Sequence, residues 1–371
     1  MSEGLPRGIE AFLGRFVSAG AASAAVALKG TAEAVEWEGS AGWLCEGQAA
    51  EVSTRFDLAS LTKPFFASLA LVLDAEGVLP LGARIGEVWP EAHRELARRP
   101  LSDLLRHRSG LAAWTPLYHL CRSADEAFAL IARGGREGEL LGARAGTYSD
   151  LGYMLWGATA ERWTGLLLAE LIRSRVLAPL GLSSIAASPG ARPDLAESRM
   201  GTGQEVRLAA RQGLEIPDLG PPPRGQPQDG NARFLVVHGA GGGVCGHAGL
   251  FGGVRDLWRL GAEWLAPGRM LKPEGVADAL RGGGPFALGW RRRTLRGSAG
   301  RALPPTAFGH TGFAGNSLWI DPERRQVFVL LASRLDPATD MNRWRRRFHT
   351  LAAAPARQTL KQREASADGN S

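Results

Sequence analysis

Strand patterns lie near both ends of this chain, and helix patterns fill the residues between them. Near the start, residues 24–28 and 34–37 are largely apolar segments separated by a glycine-containing turn, which predicts a β-hairpin. Near the end, residues 317–320 and 326–332 flank a polar turn at 321–324 and predict a second hairpin. This order predicts one sheet assembled from both ends of the chain, with a helical lobe inserted into it.

Several segments of the predicted helical lobe carry apolar residues at helical spacing. A continuous apolar stretch runs over residues 65–75, and Ser123 and Glu126 form a capping box before another apolar segment. We expect further helices over residues 151–162, 166–177 and 342–353. Residues 187–243 are rich in proline and glycine, which predicts an irregular segment, and the glycine run at residues 239–243 is typical of a mobile loop.

The length of 371 residues fits one large domain or two modest ones. We predict a single catalytic domain over residues 1–355, with a sheet lobe formed by residues 1–57 and 285–355. The helical lobe would comprise residues 58–284, and residues 356–371 would form a polar tail.

Composition excludes several classes of protein. The chain is 44% hydrophobic and 22% charged, as globular proteins are, and no apolar run approaches the roughly 20 residues that a membrane span needs. The formal net charge of +7 comes mainly from scattered arginines, which indicates a compositional preference rather than a surface for nucleic acid. Charged residues interrupt the N-terminal segment, which predicts no export signal and hence a cytoplasmic location.

Cysteine usage indicates neither a disulfide framework nor a zinc site. Cys45, Cys121 and Cys245 are odd in number and far apart. Cys245 and His247 could offer two metal ligands, but no second ligand pair at a suitable spacing accompanies them. We therefore predict neither a metal nor a cofactor, and the sequence leaves the oligomeric state open.

Ser60 and Lys63 place a hydroxyl and an amine three residues apart at a predicted helix start, and hence on one face of the helix. A serine needs a base to act as a nucleophile, and the lysine can supply one. The helix start adds N–H groups that would stabilise a developing oxyanion. The flanking residues 56–59 and 64–66 are too apolar for a surface lysine, and burial would lower the pKa of Lys63. An exposed serine cap with a solvated lysine is the alternative interpretation.

Two further segments carry candidate site residues. Tyr148 is one of three tyrosines and precedes a predicted helix that Asp150 could cap. A phenol that faces a lysine can act as a general base. The segment from Gly309 to Gly315 brings glycines into a strand, which is typical of close approach by a substrate. As alternatives, Tyr148 could merely pack, and His310 could be a structural histidine.

The three motifs, in this order and spacing, resemble the serine β-lactamase and penicillin-binding protein superfamily, in particular its class C β-lactamases, D-Ala-D-Ala carboxypeptidases and family VIII esterases. Residues 104–111 resemble the family's L-L-x-H-x-S-G-L segment, and residues 229–232 and 246–251 are similar to a later loop and helix start. The resemblance covers approximately residues 20–350. It implies a β-lactamase/transpeptidase-like α+β fold, with an antiparallel sheet from both termini flanked by helices, an inserted all-helical lobe, and an active site in the cleft between them.

The resemblance also implies roles for individual residues. Ser60 would be the acylated nucleophile, and Lys63 and Tyr148 would share the proton shuttle. The backbone N–H groups of Ser60 and Phe313 would hold the oxyanion. The same pattern implies a set of substrate-binding residues: Asp150, His310, Thr311, Gly312 and Phe313.

Two residues depart from the family pattern. Asp150 stands where these enzymes commonly have asparagine, and an ionised Asp150 would raise the pKa of Lys63 and shift the base role toward Tyr148. His310 replaces a lysine, so the positive charge that would pair with a substrate carboxylate becomes dependent on pH. Both changes favour an esterase or amidase over an enzyme that hydrolyses antibiotics.

We therefore predict a serine hydrolase that cleaves a small-molecule ester, amide or peptide through an acyl-enzyme on Ser60, and an esterase-like or amidase-like activity in particular. The alternatives are a D-amino-acid peptidase or carboxypeptidase, a β-lactamase, an acyltransferase acting on a small metabolite, and a non-catalytic relative that only binds ligands.

Overall fold

The computed structural model describes residues 5–354, so the predicted polar tail lies outside the described residues. The strands are β1 Ala22–Gly30, β2 Val35–Cys45, β3 Gln48–Ala49, β4 Phe56–Asp57, β5 Ala186–Ala187, β6 Leu250–Gly252, β7 Arg291–Arg292, β8 Phe308–Thr311, β9 Ser317–Asp321 and β10 Gln326–Arg334.

The helices that precede the C-terminal hairpin are mostly short. They are α1 Arg7–Ser18, α2 Thr62–Ala75, α3 Ile85–Val88, α4 Arg94–Ala97, α5 Leu101–Leu105, α6 Leu117–Leu120, α7 Ala124–Ala132, α8 Asp150–Thr164, α9 Leu168–Ile172, α10 Ala178–Leu180, α11 Gly203–Ala210, α12 Gly230–Val237, α13 Val254–Leu265 and α14 Pro273–Leu280. The last helix, α15 Met341–Ala352, follows the hairpin.

One seven-stranded antiparallel sheet joins the two ends of the chain. Its strand order is β3-β2-β1-β10-β9-β8-β7. Strand β1 pairs with β10 from Ala22 opposite Arg334 to Gly30 opposite Val327. The predicted sheet built from both termini is therefore confirmed. The predicted boundaries of the sheet lobe and the helical lobe stay a prediction.

The side chains of β10 alternate between two hydrophobic cores, which explains why this strand lies at the centre of the sheet. Val327 and Val329 face the larger hydrophobic core, whereas Phe328 and Leu330 face a second core on the opposite side. Successive side chains of a strand point to opposite faces, so an uninterrupted apolar run suits a strand that is covered on both sides.

Terminal helices cover one face of the sheet and α13 covers the other. Phe12 and Phe16 of α1 pack with Trp344 and Phe348 of α15 above the second core. The apolar side of α13 contributes to the larger core, which continues into the inserted helices. The sheet is thus flanked by helices on both faces, and the inserted helical segments lie on the same side as α13.

Residues 187–243 are more regular than their composition predicts, because they contain helices α11 and α12. Asp229 caps α12 by accepting a hydrogen bond from the Ala232 N–H at 2.8 Å. The prediction that this region is irregular was therefore wrong for these two stretches. None of the helices between residues 5 and 354 is long and apolar enough to span a bilayer.

Candidate active site

Ser60 lies in a one-turn 3₁₀ segment, Ala59–Leu61, between strand β4 and helix α2. The chain turns sharply there because Ala59 has a left-handed φ of 47°, a conformation that costs a non-glycine residue about 1 to 2 kcal/mol. Helix α2 begins at the next residue after this turn, and it places Lys63 Nζ 2.9 Å from Ser60 Oγ. The S-x-x-K spacing therefore becomes a direct contact.

Tyr148 lies just before helix α8, and its neighbours hold the loop. Ser149 caps the helix by accepting a hydrogen bond from the Gly152 N–H at 3.2 Å. The Ser149 N–H donates to His107 Nδ1 at 2.9 Å, and the His107 ring packs on the Tyr148 ring with 4.6 Å between centroids. These contacts aim the phenol into the cleft, where the Tyr148 hydroxyl donates to Ser60 Oγ at 2.9 Å.

The three groups predicted from separate motifs therefore meet at one atom. Ser60 Oγ accepts a hydrogen bond from Lys63 Nζ and another from the Tyr148 hydroxyl, both at 2.9 Å. Two candidate proton carriers within hydrogen-bond distance of a hydroxyl form the arrangement that activates a serine. The roles of these residues remain predictions that depend on assays of variants.

Asp150 is the first residue of helix α8 rather than its cap, because Ser149 occupies the cap position. Its Oδ1 lies 2.6 Å from the Nζ of Lys63, whose side chain is fully buried. Burial lowers the pKa of Lys63, but its interactions with Asp150 and Tyr148 outweigh burial, and the pKa is raised above its ordinary value. The expectation of a lowered pKa was therefore wrong, and the predicted effect of an ionised Asp150 prevails.

The backbone of the buried His247 fixes the position of Lys63 from the opposite side. Lys63 Nζ donates to the backbone carbonyl of His247 at 3.2 Å. His247 Nε2 lies 3.0 Å from Asp229 Oδ1, and its Nδ1 lies 3.5 Å from Cys245 Sγ. Burial alone would lower the pKa of His247, but Cys245 and Asp229 raise it well above its ordinary value. The segment that suggested a metal-ligand pair thus forms a charged cluster behind the lysine.

The third motif passes close to the nucleophile. After strand β8 the chain turns at Gly312, whose N–H donates to the Asn316 carbonyl at 3.0 Å. A Cβ atom at Gly312 would lie 2.7 Å from the Leu58 carbonyl oxygen, so this approach requires glycine. Thr311, Gly312 and Phe313 line the same cavity as Ser60, as the resemblance implied.

His310 is buried beside Tyr148, with 5.9 Å between their ring centroids. Burial lowers its pKa well below the ordinary value, and the positive charges of Arg291 and Lys63 add to this effect. His310 is therefore neutral near pH 7. The pH-dependent positive charge predicted at this position does not form in the neutral range.

The cavity at Ser60 has a volume of about 530 Å³ and lies between the sheet and the inserted helices. Its wall includes residues from the Pro-rich and Gly-rich region as well as from the motifs: Ala59, Ser60, Ala113, Trp114, Tyr148, Asp150, Gln204, Glu205, Leu208, Gln228, Asp229, Ala248, Arg291, Thr311, Gly312, Phe313, Arg334, Asn342 and Arg345. Region 187–243 therefore supplies one wall of the site.

Arginines supply positive charge on the sheet side of this cavity. The Arg291 guanidinium stacks on the Tyr148 ring at 4.5 Å. Arg334 and Arg345 are buried, and the hydrogen-bond acceptors they meet among residues 5–354 are carbonyl and amide oxygens, such as the Gly312 carbonyl at 2.6 Å from Arg345 Nη2. Burial, Arg334 and Arg291 together lower the pKa of Arg345 to about 9.

Sequence reasoning assigned Arg291 and Arg345 to a general excess of arginine and so missed their place in the cavity. Each begins a run of three arginines, and only one residue of the run faces the site. A usable signal existed for Arg345, because its spacing from Met341, Phe348 and Ala352 puts it on the apolar face of α15, where arginine is seldom found without a partner. The partner itself cannot be recognised from the chain alone.

Comparison with known proteins gives consistent results. The family model described as Beta-lactamase matches residues 11–352. A putative D-alanyl-D-alanine carboxypeptidase of Escherichia coli strain K12 is 28% identical over 328 residues, which covers 77% of this chain and 70% of the relative.

Two solved structures share the fold. EstCE1, described as a hydrolase with promiscuous acyltransferase activity, aligns with a TM-score of 0.72 and 18% identity over 93% of this chain and 97% of its own. A penicillin-binding protein homologue from Caulobacter crescentus aligns with a TM-score of 0.72 and 19% identity over 95% of this chain and 99% of its own.

Proposed function

This chain belongs to the Beta-lactamase family, and we propose that within this family of serine hydrolases it cleaves a small ester or amide through an acyl-enzyme on Ser60. The observation that carries the proposal is the convergence of Lys63 Nζ and the Tyr148 hydroxyl on Ser60 Oγ. Membership makes the chain a serine hydrolase, and the substrate class is our inference.

Acylation and deacylation follow from this geometry. Ser60 Oγ attacks the carbonyl carbon while its proton passes to the Lys63 and Tyr148 pair, and the N–H groups of Ser60 and Phe313 receive the oxyanion. Because Asp150 favours the protonated form of Lys63, the acceptor for that proton is the Tyr148 oxygen, which enters this step as a phenolate, one proton short of the form that donates to Ser60 Oγ at rest. The departing alcohol or amine takes the proton, and water then attacks the ester and releases the acid.

The expected result of a substrate panel is turnover of p-nitrophenyl butyrate that is lost in Ser60→Ala. Nitrocefin and a D-Ala-D-Ala peptide complete the panel and separate esterase, β-lactamase and peptidase activity. A mass increase of wild type equal to one acyl group, absent from Ser60→Ala, would identify the intermediate. Equal turnover by both proteins would contradict the proposal, and an absence of any labelling or turnover would favour the alternative of a non-catalytic relative.

A carboxypeptidase acting on D-amino-acid peptides is the second candidate, because the cavity contains buried arginines. Arg334 and Arg345 carry positive charge that is removed from water and meets only neutral acceptors among the described residues. A substrate carboxylate would satisfy such charges and replace the cation absent at the neutral His310. The carboxypeptidase relative supports the same candidate.

Arg345→Gln tests the second candidate. We expect it to lower kcat/KM for a D-Ala-D-Ala peptide by about 10-fold to 100-fold relative to the value for p-nitrophenyl butyrate, since a hydrogen bond to a charged group contributes about 1.5 to 3 kcal/mol. The control is Arg346→Gln, at the adjacent arginine that donates to the Arg296 carbonyl. If Arg345→Gln leaves the ratio of kcat/KM for the peptide to kcat/KM for the ester unchanged, recognition of a substrate carboxylate by Arg345 is excluded.

Transfer of the acyl group to an alcohol or amine instead of water is a further possibility that EstCE1 supports by its description. A cytoplasmic location and the lack of a nucleic-acid partner are retained as parts of the proposal.

A further inference from the structure

Asp57 ends strand β4 three residues before the nucleophile and is buried, with 4% of its surface exposed. Both of its carboxylate oxygens accept backbone hydrogen bonds. Oδ1 accepts from the Ala59 N–H at 2.8 Å, and Oδ2 accepts from the Gln228 N–H at 2.8 Å. The carboxylate thus bridges the nucleophile turn and the loop that precedes helix α12.

The bond to Ala59 acts on the strained residue of the turn. Ala59 has a φ of 47°, a conformation that a non-glycine residue keeps only when its surroundings enforce it. An aspartate that accepts the N–H two residues later closes a local turn of this kind. Asp57 therefore stabilises the conformation that points Ser60 into the cavity.

The backbone of Asp57 connects the same turn to the third motif. Its carbonyl accepts a hydrogen bond from Asn316 Nδ2 at 2.8 Å, and the Asn316 carbonyl in turn accepts from the Gly312 N–H at 3.0 Å. Gly312 precedes Phe313, whose N–H is one of the two expected oxyanion donors. One residue thereby links the segments that must hold the attacking oxygen and the oxyanion donors in a fixed relation.

We propose that Asp57 is a positioning residue for acylation, which holds Ser60 Oγ in register with the oxyanion donors through its contacts with Ala59, Gln228 and Asn316. The inference rests on the proposed function, because it concerns the rate at which Ser60 is acylated. Asp57 is not among the residues that line the cavity at Ser60, so its effect is exerted through the backbone of its neighbours.

A carboxylate is required because both of its partners are N–H donors. Asparagine offers one acceptor and one donor, so Asp57→Asn leaves one backbone N–H facing an NH₂ group. Burial raises the pKa of Asp57 to about 6, although the Gln228 and Ala59 N–H groups lower it. The charged groups around it are Asp229, which raises the pKa, Arg233 of helix α12, which lowers it, and Arg334 of strand β10, which lines the same small cavity.

The test is the rate constant for phosphonylation of Ser60 by a fluorophosphonate probe. In this reaction a bond forms between Ser60 Oγ and phosphorus, fluoride leaves, and the serine proton is released to solvent. At pH 8 we expect Asp57→Asn to react about 10-fold to 100-fold more slowly than wild type. With p-nitrophenyl butyrate we expect the loss to appear in kcat and KM to change little, because the substrate-lining groups remain.

The matched control is Asp256→Asn. Asp256 is also a buried carboxylate that accepts a backbone hydrogen bond, from the Ser184 N–H at 2.6 Å, but it lies on α13 away from the cavity. We expect Asp256→Asn to lower the melting temperature without slowing phosphonylation. If both variants lost the same fraction of the phosphonylation rate, Asp57 would have a structural role only. A wild-type phosphonylation rate in Asp57→Asn would also contradict the positioning role.

The pH profile keeps the test decisive if Asp57→Asn fails to fold. Protonation of Asp57 removes one of its two hydrogen-bond acceptors, so the rate of phosphonylation of wild type should fall as the pH falls through about 6. A folded Asp57→Asn variant should not show this decrease in rate. A wild-type rate that stays constant from pH 8 to pH 5 would overturn the inference. Wild type that is never phosphonylated would instead contradict the proposed function.

Discussion

Lys63→Ala is expected to lower kcat/KM for the best ester substrate by about 1,000-fold, within the range of general acid–base effects. The substitution removes the Nζ that donates to Ser60 Oγ and leaves Asp150 without its cation. Both losses act on proton transfer from the nucleophile. Steady-state kinetics and single-turnover acylation would measure the effect directly.

Lys29→Ala is the matched control for this prediction. Lys29 is also largely buried and pairs with Glu36 at 2.8 Å, but it lies on strand β1 away from Ser60. We expect Lys29→Ala to affect the free energy of unfolding and to retain turnover. Lys63→Ala should remain folded by circular dichroism, and full activity in that variant would exclude the proposed mechanism.

Tyr148→Phe is expected to lower kcat/KM by about 100-fold to 10,000-fold while the site keeps its shape. The substitution removes only the hydroxyl that donates to Ser60 Oγ at 2.9 Å. The ring keeps its contacts with His107, 4.6 Å between centroids, and with the Arg291 guanidinium at 4.5 Å. A crystal structure of the variant should therefore superimpose on that of wild type.

Tyr153→Phe is the control that distinguishes the loss of proton transfer by Tyr148 from the loss of any buried tyrosine hydroxyl. Tyr153 lies in the first turn of helix α8, and its hydroxyl donates to the Leu105 carbonyl at 2.9 Å instead of to Ser60. We expect its substitution to cost about 1 kcal/mol of unfolding free energy and to affect kcat only slightly. Similar kinetic losses in both variants would argue against a specific role for the Tyr148 hydroxyl.

The outline of the fold could be predicted because its patterns are local. The predicted strands at residues 326–332 and the predicted helix at residues 65–75 lie within β10 and α2, where apolar periodicity and core contacts agree. Helices α11 and α12 were missed, because proline and glycine in the surrounding loops dominate the composition of that region.

The motifs of the site could be predicted from the sequence, whereas its ion pairs and pKa values could be predicted less well. Ser149 and Asp150 are both good cap residues, and the sequence does not show that the serine takes the cap while the aspartate pairs with Lys63. The pKa of Lys63 depends on the balance between burial and that pairing, which spacing alone does not determine. The same limit applies to Arg345, whose carbonyl and amide partners cannot be recognised from its spacing.

The pairing of β1 with β10 has a consequence for biosynthesis. A ribosome synthesises strand β1 and the turn that carries Ser60 long before strand β10, which pairs with β1 and ends at Arg334. Contacts between such distant residues form slowly and only after both partners have emerged. Nascent chains should therefore lack hydrolytic activity until strand β10 has emerged from the ribosome and paired with β1.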